Sequence, residues 1–262
     1  MEEALLMQAR EFGRGHNRRI VLIPGNMMSW RQFKDVIPML EKDYHVIAVS
    51  TDGYDEKTEF TTTDKSAESI EKYLADHLRD PRVDIVFGES FGAATAGMLF
   101  HRQKVRIDSL IMSGPQYMRL GVFTEPLRRI VPKSQYGLVQ KVRSRREGGK
   151  MPLMLKLYTR VDDDNMLKMF EAMPDNITPR TLRNCMDEAL RLYEVIDQFE
   201  PDPNAKVSVW HGAREPNMKK ALEKLRRAFP AMEDRPFEGM GHGDIIGYPE
   251  VMAEEIKKFM ER

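Results

Sequence analysis

"VDIVFGESFGAATAGML", residues 83–99, decides how the rest of the chain is read. Val83, Ile85, Val86 and Phe87 make an apolar run of strand length, and residues 93–100 continue with small and apolar side chains at helical length. Between them stands Ser90, with Gly88 two residues before it and Gly92 two residues after. A G-x-S-x-G turn that leaves a strand and opens a helix holds its serine in a strained conformation with Oγ lifted clear of the sheet. The two glycines relieve the crowding of so sharp a reversal. Ala93 and Ala94 let the helix pack closely, and its N-terminus offers free N–H groups and a positive dipole end beside the serine. Ser90 is therefore the candidate nucleophile, with the Phe91 N–H as one donor for a developing oxyanion.

Outward from this turn the same rhythm recurs. Short, mostly continuous apolar runs fall at residues 20–23, 44–49, 109–112 and 207–210, each ended by turn residues. Continuous rather than alternating runs suit strands covered on both faces. Helical patterns at 30–41, 67–78, 90–103 and 249–260 separate or follow them. Strand, loop and helix in repeated order predict an α/β fold, a mostly parallel sheet flanked by helices with right-handed crossovers. One interval breaks the order. Residues 116–205 show no strand pattern, only amphipathic segments such as 151–160, 165–173 and 181–199, divided by Pro126, Pro132, Pro152, Pro174 and Pro179. An all-helical insertion between two strands of a parallel sheet is expected to act as a cap, because that is where loops reach over a site. The expected organisation is a core of residues 1–115 and 206–262 with a cap at 116–205.

Serine is a weak nucleophile near neutral pH and needs a base and an orienting acid. With this elbow they follow in the order Ser, acid, His. Of six histidines, His16, His45 and His77 precede the elbow and His101 lies on its own helix, so only His211 and His242 come later. His242 lies in "EGMGHGDIIGYPE", flanked by Gly241 and Gly243, and is the preferred base; His211 ends a strand run and is the alternative. The acid is expected in "VWHGAREPNM", where Glu215 stands before Pro216, although a cap on the helix after it would also explain a carboxylate there. Asp244 is too close to His242 in sequence to be preferred. A second oxyanion donor is expected from "VLIPGNMMSW", with the Asn26 N–H first and Met27 as the alternative; an ordinary turn capped by Ser29 would also fit that text.

Composition narrows the rest. The chain has 262 residues, long enough for one sizeable α/β domain. It carries 41 Lys and Arg against 41 Asp and Glu, so no net field points to nucleic acid. One cysteine excludes an internal disulfide and a multi-cysteine zinc site. Nothing resembles a signal peptide or a membrane span of about 20 apolar residues, so a cytoplasmic protein is expected. The charge is nevertheless uneven. Residues 116–160 hold eleven Lys or Arg against Glu125 and Glu147, which raises the expectation of an anionic substrate drawn to the cap. A solvated helical face is the plainer explanation.

In "PGNMMSW", "GESFGAA", "HGAREP" and "GMGHGD" the chain resembles the α/β-hydrolase fold superfamily, specifically its esterase-like members with a helical cap. The resemblance implies Ser90 as nucleophile, Glu215 as acid, His242 as base, and Asn26 and Phe91 as backbone oxyanion donors. It implies a serine hydrolase for a small-molecule ester or acyl substrate, working without metal or organic cofactor. A thioesterase or carbon–carbon bond hydrolase would use the same residues, and a non-catalytic binding protein on such a scaffold is the rival from another class. Pro24 departs from the pattern, since His commonly precedes that Gly, and Glu215 replaces the more frequent Asp.

Overall fold

The computed structural model describes residues 8–117, 121–144, 171–216 and 218–262. Seven strands form one sheet: β1 Gln8–Phe12, β2 Arg19–Ile23, β3 His45–Ser50, β4 Arg82–Glu89, β5 Arg106–Ser113, β6 Lys206–Gly212 and β7 Glu233–Phe237. Their order is β1-β3-β2-β4-β5-β6-β7, with β1 antiparallel to β3 and every other pair parallel. The fold is α/β, as expected.

Alternate residues of the inner strands feed opposite faces of the sheet. Val21, Ile23, Ile47 and Val49 enter one core with helices Thr63–His77, Phe91–Arg102 and Met218–Ala228. Ile20, Leu22, Val46 and Ala48 enter the other, with the short helix Ile37–Leu40 and the helix Pro249–Glu261. Both faces are covered, which is why these strands read as unbroken apolar runs. The pattern at 30–41 is not one helix. A 3-10 turn at Trp30–Phe33 precedes Ile37–Leu40, which starts afresh with a proline in its first turn, where the missing N–H costs no helical bond.

Among the described residues between β5 and β6 there is no strand. They hold the helices Thr124–Ser144 and Pro179–Val195, joined to short 3-10 turns. The segments read as helical at 151–160 and 165–170 lie outside the described residues. A third apolar cluster joins Val139, Ala172, Met173, Ile177, Leu182 and Cys185 to Met28, Tyr54 and Phe60, from the loops after β2 and β3, and touches Phe91. The segment is pinned there by polar contacts too. Ser29 donates its backbone N–H (2.9 Å) and its hydroxyl (2.7 Å) to the carbonyl of Ala172, rather than capping the turn that follows it. Buried Glu188 accepts the Thr63 N–H at 2.8 Å, at the start of the helix Thr63–His77. Of the basic residues noted above, Arg128 pairs with Asp187 and Arg143 bonds the carbonyls of Asp175 and Ile177. Arg119, Arg145, Arg146, Lys150, Lys156 and Arg160 lie outside the described residues. Among the described residues no helix is long and apolar enough to cross a membrane.

Candidate active site

Ser90 stands between β4 and the helix Phe91–Arg102 with φ 52° and ψ −112°, a left-handed conformation that L-residues rarely hold. The neighbouring glycines explain how it is tolerated. A Cβ on Gly88 would lie 2.3 Å from the Gly92 carbonyl oxygen, and one on Gly92 would lie 2.3 Å from the carbonyl oxygen of Pro24. Gly92 is thus required by the close approach of the helix to the end of β2. The Ser90 N–H donates to the Ser113 carbonyl at 2.7 Å, tying the turn to the end of β5.

His242 and Glu215 arrive on the loops after β7 and β6. The Ser90 hydroxyl lies 2.8 Å from His242 Nε2, and Glu215 Oε1 lies 2.6 Å from Nδ1. With the proton on Nδ1 the imidazole donates to Glu215 and leaves Nε2 free to accept from Ser90. The three side chains named from the sequence are therefore within hydrogen-bond reach in one line. Glu215 is engaged with His242 rather than capping the helix Met218–Ala228. Its side chain is 2% exposed and that of His242 is 14% exposed, so the pair is shielded from bulk solvent. Burial alone would lower the His242 pKa. The hydrogen bond and charge of Glu215, with Glu89 and Asp244, outweigh it, and the net direction is up.

The alternatives are placed elsewhere. His211 Nε2 is 2.9 Å from Asp234, His45 Nε2 is 2.7 Å from Glu11, and His101 stacks on Phe199 at 3.9 Å. Asp244 is buried and accepts the Gly241 N–H at 2.7 Å, so it shapes the histidine loop instead of holding the imidazole. Asp187 sits on the surface with Arg128.

The loop after β2 borders the serine. A Cβ on Gly25 would lie 3.5 Å from Ser90 Cβ, and the Gly25 N–H donates to Gln32 at 2.8 Å. Met27 holds φ 66°. Tyr54, buried, also donates to the Asn26 side-chain carbonyl and lies 3.0 Å from Cys185 Sγ. Among the described residues no hydrogen bond engages the N–H of Asn26.

Two contributors were missed in the sequence. Gly114, at φ +55°, follows β5 and faces the imidazole: a Cβ there would lie 2.9 Å from His242 Nδ1 and Cε1. Nothing near it in sequence announces a partner 128 positions away. Tyr54, in the loop after β3, was given no role. The Gln116 amide also lies 3.4 Å from Nδ1. Among the described residues no group of His, Cys, Asp and Glu could hold a metal ion.

An elbow serine within reach of a histidine–carboxylate pair, at the C-terminal ends of a mostly parallel sheet, defines a hydrolase-type site. Residues 18–247 match the family model for the alpha/beta hydrolase fold, and the chain belongs to that family as a hydrolase. Solved structures agree in fold. A Desulfitobacterium hafniense protein assigned to the alpha/beta hydrolase family is 20% identical with a TM-score of 0.80, over 97% of this chain and 100% of that one. A thermophilic esterase from Thermogutta terrifontis is 15% identical, TM-score 0.74, covering 97% and 93%. An enol-lactonase from Burkholderia xenovorans LB400 is 16% identical, TM-score 0.70, covering 98% and 96%.

Proposed function

We propose that the chain is a serine hydrolase that cleaves a carboxylic ester through an acyl-enzyme on Ser90. The observation that carries this reading is the relay of 2.8 Å from Ser90 Oγ to Nε2 and 2.6 Å from Nδ1 to Glu215. His242 takes the serine proton as Oγ attacks the acyl carbon, and Glu215 stabilises the imidazolium and fixes its tautomer. The N–H groups of Phe91 and Asn26 receive the oxyanion. The imidazolium then protonates the leaving alcohol. Water enters and attacks the acyl carbon as it gives a proton to Nε2, and the imidazolium returns that proton to Ser90 Oγ as the acid leaves. No step calls for a metal or organic cofactor. That similar folds include an esterase and an enol-lactonase is compatible with an ester as substrate.

Residues 116–205 are proposed as the cap over this site. Support comes from the apolar cluster that seats Val139, Ala172 and Leu182 against Tyr54, Phe60 and Phe91, next to the nucleophile. An anionic substrate is the corresponding proposal for the basic charge of residues 116–160. It predicts a kcat/KM that falls with salt for a carboxylate-bearing ester and not for a neutral one, since screening acts beyond about 8–10 Å.

A panel of acyl esters and thioesters, run with wild type and Ser90→Ala, tests the reaction class. Ester turnover that disappears in the variant supports the proposal. Thioester turnover without ester turnover, or a Ser90→Ala protein that retains activity, contradicts it.

A further inference from the structure

Glu89 is the residue before the nucleophile, and the mechanism above does not use it. It ends β4, two residues after Phe87 and four after Ile85, on the strand face that those two apolar side chains fill. An apolar residue would suit that position, yet a carboxyl occupies it at 1% exposure. Neither carboxyl oxygen has a hydrogen-bond partner at normal geometry among the described residues, and no lysine or arginine is seated on it there. Its surroundings are known from each packed element. Ser113 comes from the end of β5, Glu215 from the loop after β6, and His242 and Asp244 from the loop after β7. Glu89 Oε1 lies 3.4 Å from where a Cβ on Gly243 would sit, so the carboxyl is directly beneath the histidine loop. Arg214 is turned to Asp244 at 3.7 Å and is half exposed.

A buried carboxyl without a cation is costly unless a positive charge arises next to it. Of the groups facing Glu89, His242 is the one that becomes positive, and it does so when it takes the Ser90 proton. We infer that Glu89 is a second positioning carboxylate for this reaction, one that stabilises the His242 imidazolium from beneath while Glu215 holds it from the Nδ1 side. No proton moves to or from Glu89 in the step, and no bond forms on it. Its action is through charge. Burial raises its pKa to about 7, against the lowering influence of His242 and Ser113. Glu89 and His242 are therefore coupled, and ionisation of each alters the other. When Glu89 is neutral the imidazolium loses one of its two supports.

The inference rests on reading Ser90 and His242 as nucleophile and base, so its test is separated from substrate identity. The rate of Ser90 labelling by a fluorophosphonate is measured against pH for wild type, Glu89→Gln and Glu89→Asp. The Gln variant keeps size and loses charge. It is expected to label roughly tenfold more slowly at the optimum, with the midpoint of its acid limb lowered by about one pH unit. Glu89→Asp keeps the charge and is expected to retain most of the wild-type limb. A Gln profile that superimposes on the wild-type profile overturns the inference. A second measurement needs no labelling: the His242 ring protons of wild type and Glu89→Gln are followed by NMR from pH 4 to 9. A two-step curve in wild type that loses one step in Glu89→Gln supports the coupled pair. A single-step curve in wild type overturns it. Should Ser90 resist labelling at every pH, the proposed function fails, and the NMR titration still decides the role of Glu89.

Discussion

Replacing Glu215 by Gln removes one charge and almost no volume, at the point where the relay ends. The carboxylate accepts a 2.6 Å bond from His242 Nδ1, at the short end of charge-assisted hydrogen bonds. A Gln amide in the same place can turn its NH2 toward Nδ1, which moves the ring proton to Nε2. Nε2 would then donate where it must accept, and Ser90 would lose its base. Loss of charge compensation for the imidazolium adds to this. Together they are expected to lower kcat by about 10²–10⁴, or about 2.7–5.4 kcal/mol of barrier. Stability should not fall in parallel. Glu215 Oε2 is buried without a hydrogen-bond partner among the described residues, so a neutral amide relieves an uncompensated charge. Ester turnover and thermal unfolding measured on the same preparation separate the two effects. Activity within threefold of wild type, in a protein that unfolds at the wild-type temperature, would refute the assignment of Glu215.

Three further outcomes follow from the same geometry. In the proposed mechanism the neutral imidazole is the active form, and its pKa is raised, so kcat/KM for an ester should fall as pH drops through a midpoint above the ordinary histidine value of about 6.5; a midpoint below that value contradicts charge support of His242 by Glu215. Gly114→Ala puts a methyl 2.9 Å from the imidazole at φ +55°, and is expected to displace the ring and cost about 10² in kcat, with roughly 1–2 kcal/mol of backbone strain; unchanged kcat would show that the ring has room to spare. Tyr54→Phe frees the Asn26 side chain, so kcat should drop about tenfold with KM little changed and stability reduced by about 1–3 kcal/mol; full kcat in a destabilised protein would confine Tyr54 to a packing role.

What the sequence made legible follows from how local each signal is. The elbow is local: a strand, two glycines, a serine and a helix within seventeen residues carry their own steric logic. The inner strands were legible because both faces are buried, so their apolar runs are broken only at single positions such as Asp84 and Ser208. The edge strands were not. Gln8–Phe12 pairs along one side only, and Glu233–Phe237 carries Pro236 and three charged residues, which an edge position tolerates and a central one would not. The histidine and its carboxylate could be named because chain order and loop position constrain them, while their approach to 2.6 Å depends on the register of β6 against β7. Gly114 and Glu89 were illegible as site residues for a common reason. Each derives its meaning from His242, more than a hundred residues distant, and a lone glycine or glutamate carries no pattern of its own.

The central claim is covalent: an acyl group resides on Ser90 during turnover. Protein mixed with a slowly deacylating ester, quenched in acid within the first turnovers and digested, should give a peptide spanning Ser90 heavier by the mass of the acyl group. The same peptide from Ser90→Ala should carry none. Turnover of the ester with no adduct on that peptide, or an adduct on another residue that persists in Ser90→Ala, would contradict the account.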